Sequence, residues 1–348
     1  MRSPLFVSML SLMVAGTIAT AALAAPSLRD EVKDQFAPIP AAPPALPNNP
    51  ATPAKLALGK MLYFDPRLSA SQNLSCATCH NLSLGGADGR PKSLGEHWQT
   101  GARNAPTVLN SVFNFVQFWD GRAADLAEQA GGPILNPVEM GSTKPLTVET
   151  LKSIPDYVTA FKTAFPGVAD PITYDNVGKA IAVFEATLIT PQSPFDRWLA
   201  GDDKALSDKQ KAGLRLFVDK GCSGCHNGVN IGGAMYATFG VVKAPSAEVR
   251  PPEDLGRGAI TKSKDDDYSF KVPSLRNIAL TAPYFHSGSV WTLGEAVKIM
   301  AETQLGTTLT DAETASIVDF LNSLTGKQPT VDLPNLPASA AATPRPAP

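Results

Sequence analysis

Cys76-Ala77-Thr78-Cys79-His80 occurs a second time in this chain in the form Cys222-Ser223-Gly224-Cys225-His226. In a Cys-x-x-Cys-His run the two thiols add to the vinyl groups of one haem, and the imidazole that follows takes the iron from the proximal side. The sequence therefore predicts two covalently attached haems. Cys76, Cys79, Cys222 and Cys225 are the predicted attachment points, with His80 and His226 as proximal iron ligands.

Two other chemistries use paired cysteines. A zinc site usually has about 15–20 residues between its two pairs, whereas Cys79 and Cys222 are far apart. A thioredoxin-like redox pair is an alternative for one Cys-x-x-Cys run, but it needs no following histidine and gives no reason for a repeat. All four cysteines of the chain lie in the two runs, so none remains for a disulfide framework.

Length and composition suit an ordinary globular protein. The 348 residues, of which 43% are hydrophobic and 18% charged, are enough for two domains with hydrophobic cores. The formal net charge of −2 gives no sign of a nucleic-acid partner. We therefore expect two domains and no nucleic-acid binding.

The first residues have the form of a secretory signal. Met1-Arg2-Ser3 and the apolar run over residues 5–19 fit its n- and h-regions, and Ala22-Leu23-Ala24 fits the cleavage pattern. A membrane anchor is the alternative, but the run is short and interrupted by polar residues, and no other stretch could span a bilayer. Bacterial c-type haem is attached outside the cytoplasmic membrane. We predict a signal peptide at residues 1–24 and a periplasmic protein without a membrane anchor.

Similar helical patterns precede the two haem motifs. Thr52-Pro53 opens a helix that ends near Asp65-Pro66, and Ser207 caps another that runs into Gly221-Cys222. The two helices echo one another weakly, with Gly59-Lys60-Met61-Leu62-Tyr63-Phe64 in the first and Gly213-Leu214-Arg215-Leu216-Phe217 in the second. Two cytochrome-like units in tandem explain this echo.

The rest of the chain fits the same plan. Apolar spacing predicts further helices over residues 148–165, 176–189, 293–301 and 311–324. Thr310 and Glu313 form a capping box for the last of them, and Thr190-Pro191 breaks the pattern between the haem motifs. We expect the proline-rich start to run extended over the surface and the Ala/Pro tail to be disordered.

The predicted fold is mainly α, with two cytochrome c-like domains in tandem, each around a covalently bound haem. The predicted ranges are 25–190 for the N-terminal domain with its extended start, 191–327 for the C-terminal domain and 328–348 for the tail.

Four further motifs carry a resemblance to a known family. They are Arg103-Asn104-Ala105-Pro106-Thr107-Val108-Leu109-Asn110, Gln117-Phe118-Trp119-Asp120-Gly121-Arg122, Val138-Glu139-Met140-Gly141 and Pro283-Tyr284-Phe285-His286-Ser287-Gly288. From about residue 50 to about residue 325 the chain resembles the bacterial dihaem cytochrome c peroxidases. The resemblance implies reduction of hydrogen peroxide to water with electrons from a reduced small cytochrome c or cupredoxin. The electrons would enter at the C-terminal haem and pass to the N-terminal, peroxidatic haem, and the enzyme would be a homodimer.

The resemblance also assigns residues to the two haems. It makes Met300 the distal ligand of the second haem, and Met235 is the rival; a thioether ligand raises the potential, as an electron-entry haem requires. It places Glu139 over the open face of the first haem, where a group must move a proton between the two peroxide oxygens, with Gln129 beside it. Trp119 would lie between the haems.

A calcium site between the domains is implied as well. The resemblance assigns Asn104, Thr281 and Pro283 to it, with amide and main-chain carbonyl oxygens as ligands, and oxygen donors suit this hard cation. His286 lies nearby in the sequence, and we expect it to be a hydrogen-bonding partner rather than an iron ligand.

The chain departs from the family at one place. Many relatives carry a Gly-His-x-Trp-Gln segment whose histidine ligates the peroxidatic iron in the resting enzyme. Here the segment reads Gly95-Glu96-His97-Trp98-Gln99, so Glu96 holds the aligned place and the histidine follows one residue later. If the loop shifts by one residue, His97 is the resting ligand; if it does not, the iron is already open. We expect His97 ligation that is relieved when the other haem is reduced.

Two rival functions remain open on the sequence. A dihaem oxidase that matures a protein-derived quinone would carry tyrosine where Met300 stands. A plain dihaem electron carrier would have no substrate, and it would have no use for Glu139 and Gln129 over an open haem.

Overall fold

The computed structural model describes Met1 and residues 26–346. Beyond Met1, the predicted signal peptide lies outside the described residues. Within them, no helix is long and apolar enough to cross a membrane.

The described chain is helix-dominated, as predicted. In chain order the α-helices are α1 Leu28–Val32, α2 Pro53–Phe64, α3 Cys76–Cys79, α4 Leu126–Leu135, α5 Lys144–Lys152, α6 Pro155–Ala164, α7 Tyr174–Ala186, α8 Pro194–Leu199, α9 Asp208–Asp219, α10 Gly258–Thr261, α11 Leu293–Leu305 and α12 Asp311–Asn322. Two short strands, β1 Tyr236–Thr238 and β2 Ser269–Lys271, pair antiparallel with Tyr236 opposite Lys271.

The predicted caps lie at the expected helix ends. Thr52 accepts a hydrogen bond from the Lys55 amide at the start of α2, and Pro53 occupies its first turn. Thr310 and Glu313 form the capping box of α12, and Ser207 forms one at α9. Each cap satisfies amide groups that the first helical turn leaves without a partner.

Among the described residues, the first of the two largest hydrophobic cores ends at Leu188, and the second, apart from Val32 and Phe36, begins at Phe195. The first contains Leu58 and Leu62 of α2, and the side chain of Cys76 packs against it. The second contains Leu214 of α9, and the side chain of Cys222 packs against it. Each haem motif thus belongs to its own core.

A glycine at a helix crossing repeats in both cores. Helix α2 crosses α7 at Gly59, where an added Cβ would lie 1.9 Å from the Ala180 carbonyl oxygen. Helix α9 crosses α12 at Gly213, where an added Cβ would lie 1.8 Å from the Ser316 carbonyl oxygen. Only glycine permits backbones to approach this closely, so the weak echo between the two sequence segments reflects one packing motif used twice.

Equivalent segments of the two domains contact each other at the domain interface. The Asn104 amide donates to the His286 carbonyl oxygen, and the Lys271 amide donates to the Trp119 carbonyl oxygen, both at 2.8 Å. Asn104 and Lys271 hold equivalent places in the two domains, each two residues before a proline, and Trp119 and His286 hold equivalent places in Phe-Trp-Asp-Gly and Phe-His-Ser-Gly. The domains therefore meet through reciprocal contacts about an approximate two-fold axis.

Thr190 joins equivalent asparagines of both domains. Its hydroxyl oxygen accepts from the Nδ2 atoms of Asn110, at 2.8 Å, and of Asn277, at 2.9 Å. Its amide also donates to Asn110 Oδ1 at 2.8 Å. All three residues are buried, so the break in helical pattern at Thr190 marks a junction that both domains share.

Three expectations about the fold were wrong in part. The helix expected over residues 148–165 is divided into α5 and α6, because Pro155 begins a new first turn. The start of the chain is not extended throughout: α1 forms there behind a Ser27–Asp30 capping box. Val32 and Phe36 are buried in the second core, although sequence placed this start with the N-terminal domain.

The tail is also fixed through its described part, contrary to the predicted disorder. The Arg67 guanidinium donates to the Pro337 carbonyl oxygen at 2.8 Å, and Gln72 Nε2 donates to that of Pro344 at 2.9 Å. The Thr343 side chain is buried and forms a hydrogen bond with Ser153. The C-terminal segment therefore returns to the N-terminal domain.

Candidate functional site

A single cavity of about 1100 Å³ runs through both domains and their interface. Most of the residues that sequence assigned to the site line it: Cys79, His80, Asn104, Trp119, Gln129, Glu139, Cys222, Cys225, His226, Thr281, Pro283 and Met300. Cys76 lies behind the cavity against the first core. His97 is not among the lining residues.

The two proximal histidines are held in the same way. His80 Nδ1 lies 3.3 Å from the Gly86 carbonyl oxygen, and His226 Nδ1 lies 3.4 Å from that of Ile231. A proton on Nδ1 leaves the Nε2 lone pair for a metal, which is how carbonyl groups orient ligating imidazoles. Burial lowers the pKa of both rings, that of His226 to about 4. Both rings are therefore neutral and fit the role of iron ligand.

The cysteines fit covalent haem attachment better than the two alternatives. Burial raises the pKa of Cys79 and of Cys222 to about 11, whereas a redox-active pair needs a lowered pKa. The pairs lie in separate domains, which gives a shared zinc ion no place. All four thiols are free of disulfide bonds and are available for thioether links to two haems.

Met300 lies on the cavity wall of the second domain. It is half-buried on α11 and lines the same cavity as His226. Met235, the rival, is exposed and does not line the cavity. Of the two methionines, only Met300 therefore shares a cavity with His226.

Glu139 stands at the first-domain end of the cavity with a defined set of neighbours. Asn136 Nδ2 donates to its Oε1 at 2.8 Å, and Gln129 of α4 lines the same space. Burial raises the pKa of Glu139, while the positive charge of Arg122 and the hydrogen bond from Asn136 act in the opposite direction. A half-buried carboxyl with a raised pKa is suited to taking up and returning a proton near neutral pH.

Trp119 lies at the contact between the domains. Its Nε1 donates to the Asn104 carbonyl oxygen at 3.0 Å, and its ring stands edge to face with that of His286, with centroids 6.1 Å apart. His286 is buried, stacks on Phe270 at 4.2 Å, and has an Nε2 atom without a hydrogen-bond partner among the described residues. The aromatic contact thus bridges the two halves of the cavity.

Comparison with known proteins identifies the family. Residues 53–204 match the family model for di-haem cytochrome c peroxidases, and residues 210–325 match that for cytochrome c. The cytochrome c551 peroxidase of Pseudomonas aeruginosa is 55% identical over 331 residues, covering 95% of this chain and 96% of that protein. The chain belongs to the di-haem cytochrome c peroxidase family. It is a peroxidase with two c-type haems in tandem cytochrome c-type domains.

Other members of the family and their structural relatives agree. The cytochrome c551 peroxidase of Nitrosomonas europaea is 50% identical over 288 residues, covering 83% of this chain and 85% of that protein. The solved structure of a MauG-like protein associated with microbial copper homeostasis matches with a TM-score of 0.73 and 29% identity, covering 83% of this chain and 93% of that one.

In this member of the family the loop after the first haem motif does not bring His97 to the cavity. His97 has a left-handed backbone with φ of 51° and an exposed side chain, and Trp98 beside it is 81% exposed. The expected ligation of the first iron by His97 is therefore not found in this arrangement.

The reason is the anchoring of Glu96, which is buried. Its Oε1 accepts from the Ser71 amide at 3.1 Å and from the Ser71 hydroxyl at 2.9 Å. Its own amide donates to the Glu139 carbonyl oxygen at 2.9 Å. A loop held at both groups cannot slip by one residue without losing these bonds.

Sequence reasoning missed three residues that act on the site. Asn136 and Arg122 tune Glu139, and the Asn136-Pro137-Val138-Glu139 spacing was a weak signal for the first of them. Lys271 is a buried cation on the cavity wall. The sequence hint for Lys271 was that Lys271-Val272-Pro273 corresponds to Asn104-Ala105-Pro106. This correspondence is recognised only when equivalent places in the two domains are compared.

Proposed function

We propose that this peroxidase reduces hydrogen peroxide to two waters in the first domain. Two electrons and two protons are consumed, and the electrons come one at a time from a reduced small cytochrome c or cupredoxin. They enter at the second domain and pass to the first. The observation that carries the proposal is that Glu139 and Gln129 share one cavity with both haem motifs.

The first haem, when bound on His80, would supply the iron at which the peroxide O–O bond is cleaved. Glu139 takes the proton from the peroxide oxygen nearest the iron and returns it to the oxygen that leaves as water. Asn136 orients the carboxyl group, and Gln129 holds peroxide in reach of it. Such general acid–base help typically contributes 10²–10⁴-fold.

The second domain supplies the electrons. Met300 and His226 would hold its iron, and a thioether ligand favours the reduced state relative to an imidazole. Trp119 lies where the domains meet and provides a π-system between the two sites. Because Glu96 holds the loop away from the cavity, we propose that the first iron is open before any reduction.

We also propose that calcium binds at the domain interface, on oxygens of Asn104, Thr281 and Pro283. Asn104 Nδ2 donates to the Arg90 carbonyl oxygen at 2.8 Å, which leaves Oδ1 available. Among the described residues, the carbonyl oxygens of Thr281 and Pro283 accept no backbone hydrogen bond. Three neutral oxygens are a set that a hard cation can bind. A bound ion would stiffen the contact between the domains.

We further propose that the protein is exported to the periplasm and forms a homodimer.

The two rival functions predict different behaviour. A quinone-maturing oxidase would have tyrosine at the place of Met300, and this chain has methionine facing the cavity. A plain carrier would need no tuned carboxyl near its iron, whereas burial raises the pKa of Glu139.

The test is steady-state turnover of the purified dihaem protein with hydrogen peroxide and a reduced small cytochrome c or cupredoxin. The proposal predicts that two donor molecules are oxidised for each peroxide consumed. Donor oxidation that does not depend on peroxide, or no oxidation at all with every donor of either kind, would contradict it.

A further inference from the structure

Lys271 is an exception among the buried cations of the described residues. Only 6% of the residue is exposed, and it lies at the end of β2 on the cavity wall. Its ammonium group has no carboxylate or hydrogen-bond partner within residues 26–346. Burial lowers its pKa to about 8, and no neighbouring charge opposes that shift.

Comparable buried cations have partners. Lys55 is also 6% exposed, and its Nζ donates to Asn49 Oδ1 and to the Pro50 carbonyl oxygen, both at 3.0 Å. Arg276 is 1% exposed and lies 2.7 Å from an Asp196 oxygen. An unpaired buried ion costs several kcal/mol in effective desolvation. An anion bound in the cavity would offset this cost for the Lys271 ammonium.

The chain's own carboxylates do not supply this anion. Of the carboxylates that line the cavity, Asp120 and Asp254 are bound by Arg103, and Asp120 also by Arg122. The other three, Glu139, Glu185 and Glu253, form no ion pair with Lys271, and no neighbouring charge contributes to the shift of its pKa. The remaining cavity cations are Lys220, which pairs with Glu313, and Lys92, which is partly exposed and so is solvated. Among the described residues that line the cavity, Lys271 is thus the buried cation without an ion-pair partner.

The surroundings of Lys271 associate it with the second haem site. It lies two residues before Pro273, whose backbone faces the His226 ring, and its amide donates to the Trp119 carbonyl oxygen. Asn104 holds the equivalent place before Pro106, whose backbone faces the His80 ring. Lys271 therefore belongs to the proximal segment of the second haem, at the side that faces the first domain.

We propose that the Lys271 ammonium is the ion-pair partner of a propionate of the second haem. A haem carries two propionates, and a propionate directed at the domain interface brings an anion into the space that Lys271 faces. The pair neutralises both groups on the buried wall of the cavity. The inference rests on the two haem sites of the proposed function and adds a residue that positions one haem and tunes its potential.

The expected effect follows from electrostatics. Oxidation of haem iron adds one positive charge, so a nearby cation makes oxidation less favourable and raises the midpoint potential. Lys271 thereby acts in the same direction as the Met300 thioether. Without it, the unbalanced propionate would stabilise the ferric state of the second haem.

The first experiment measures both midpoint potentials by spectroelectrochemical titration of the dihaem protein. Lys271→Gln is expected to reduce the equilibrium constant for reduction of the second haem tenfold or more. For one electron, a tenfold change lowers the midpoint potential by 59 mV. The first haem should shift less. Lys271→Arg retains the charge and should restore most of the difference. Lys55→Gln, an equally buried lysine outside the cavity, is the matched control and should leave both potentials unchanged.

A crystal structure of the wild-type dihaem protein tests the same contact without a variant. It should place Lys271 Nζ at about 3 Å from a propionate oxygen of the second haem. An Nζ directed away from both propionates, or a second-haem potential in Lys271→Gln equal to that in Lys55→Gln, would overturn the assignment. Both measurements are made without peroxide or donor, so their failure leaves the proposed peroxidase activity standing, and a failure of turnover leaves the ion pair standing.

Discussion

Replacement of Glu139 by glutamine isolates the proton-transfer step from the shape of the site. Asn136 Nδ2 donates to Glu139 Oε1 at 2.8 Å, and the amide oxygen of glutamine can accept the same bond. The variant therefore keeps its packing and loses only the ability to take up a proton. Since this help is typically worth 10²–10⁴-fold, kcat/KM for peroxide should fall by that factor. At 1.36 kcal/mol per tenfold change, the loss of transition-state stabilisation is about 3–5 kcal/mol.

The pH dependence gives a second readout of the same group. Glu139 acts as a base, so activity falls as the pH drops through its pKa. The Asn136 hydrogen bond lowers that pKa against the effect of burial. Asn136→Ala should therefore raise the pKa and move the acidic limb of kcat/KM to higher pH, and Glu139→Gln should abolish that limb.

The assay is steady-state peroxide turnover over pH, with haem content matched by absorbance. Glu149→Gln replaces an exposed carboxylate on α5 and is the control, expected to match the wild type. Full activity in Glu139→Gln, or an acidic limb that stays in place in Asn136→Ala, would refute the reasoning.

Three further predictions concern packing, iron ligation and the loop. Gly59→Ala places a methyl group against the Ala180 carbonyl oxygen and should destabilise the N-terminal domain by at least about 1–3 kcal/mol. In thermal unfolding, the control Gly101→Ala should be close to the wild type, because its added Cβ would make only an ordinary contact, 3.5 Å from the Ser93 carbonyl oxygen. Met300→His should lower the second-haem potential in a redox titration, because imidazole favours ferric iron more than a thioether does, and an unchanged potential would show that another group is the ligand. Electron paramagnetic resonance of the oxidised protein should show a high-spin first haem that His97→Gly does not alter; a low-spin signal that disappears in this variant would show that His97 binds the iron.

Local signals in the sequence predicted much of the fold. The Cys-x-x-Cys-His runs, the Thr52 and Ser207 caps and the Thr310–Glu313 capping box depend on neighbours within a few residues, so they could be read directly. The glycines at the two helix crossings were visible as an echo, although their reason, the approach of a carbonyl oxygen, became clear only in three dimensions.

Contacts between distant segments could not be predicted in this way. The Ser71–Glu96 hydrogen bonds decide where the loop lies. The local sequence around neither residue predicts that the two will be in contact. The same holds for the tail, whose Pro337 and Pro344 carbonyl oxygens bind Arg67 and Gln72. A composition rich in alanine and proline predicts disorder when an isolated segment is considered, but here side chains of another domain fix its backbone.

The reciprocal interface falls between these cases. Phe-Trp-Asp-Gly and Phe-His-Ser-Gly are visibly related in the sequence, and their relation would have predicted equivalent places for Trp119 and His286. It would not have predicted that these residues meet each other, because the two-fold arrangement arises from docking of the domains.

The most direct test of the central claim is rapid mixing of peroxide with protein that is reduced at the second haem and oxidised at the first. The ferrous spectrum of the second haem should disappear at a rate proportional to peroxide concentration, and 10²–10⁴-fold more slowly in Glu139→Gln. The control is the Cys76→Ala/Cys79→Ala protein, which cannot attach the first haem. If the second haem of the wild-type protein is oxidised no faster than that of this control, peroxide is not reduced in the first domain and the proposed function is wrong.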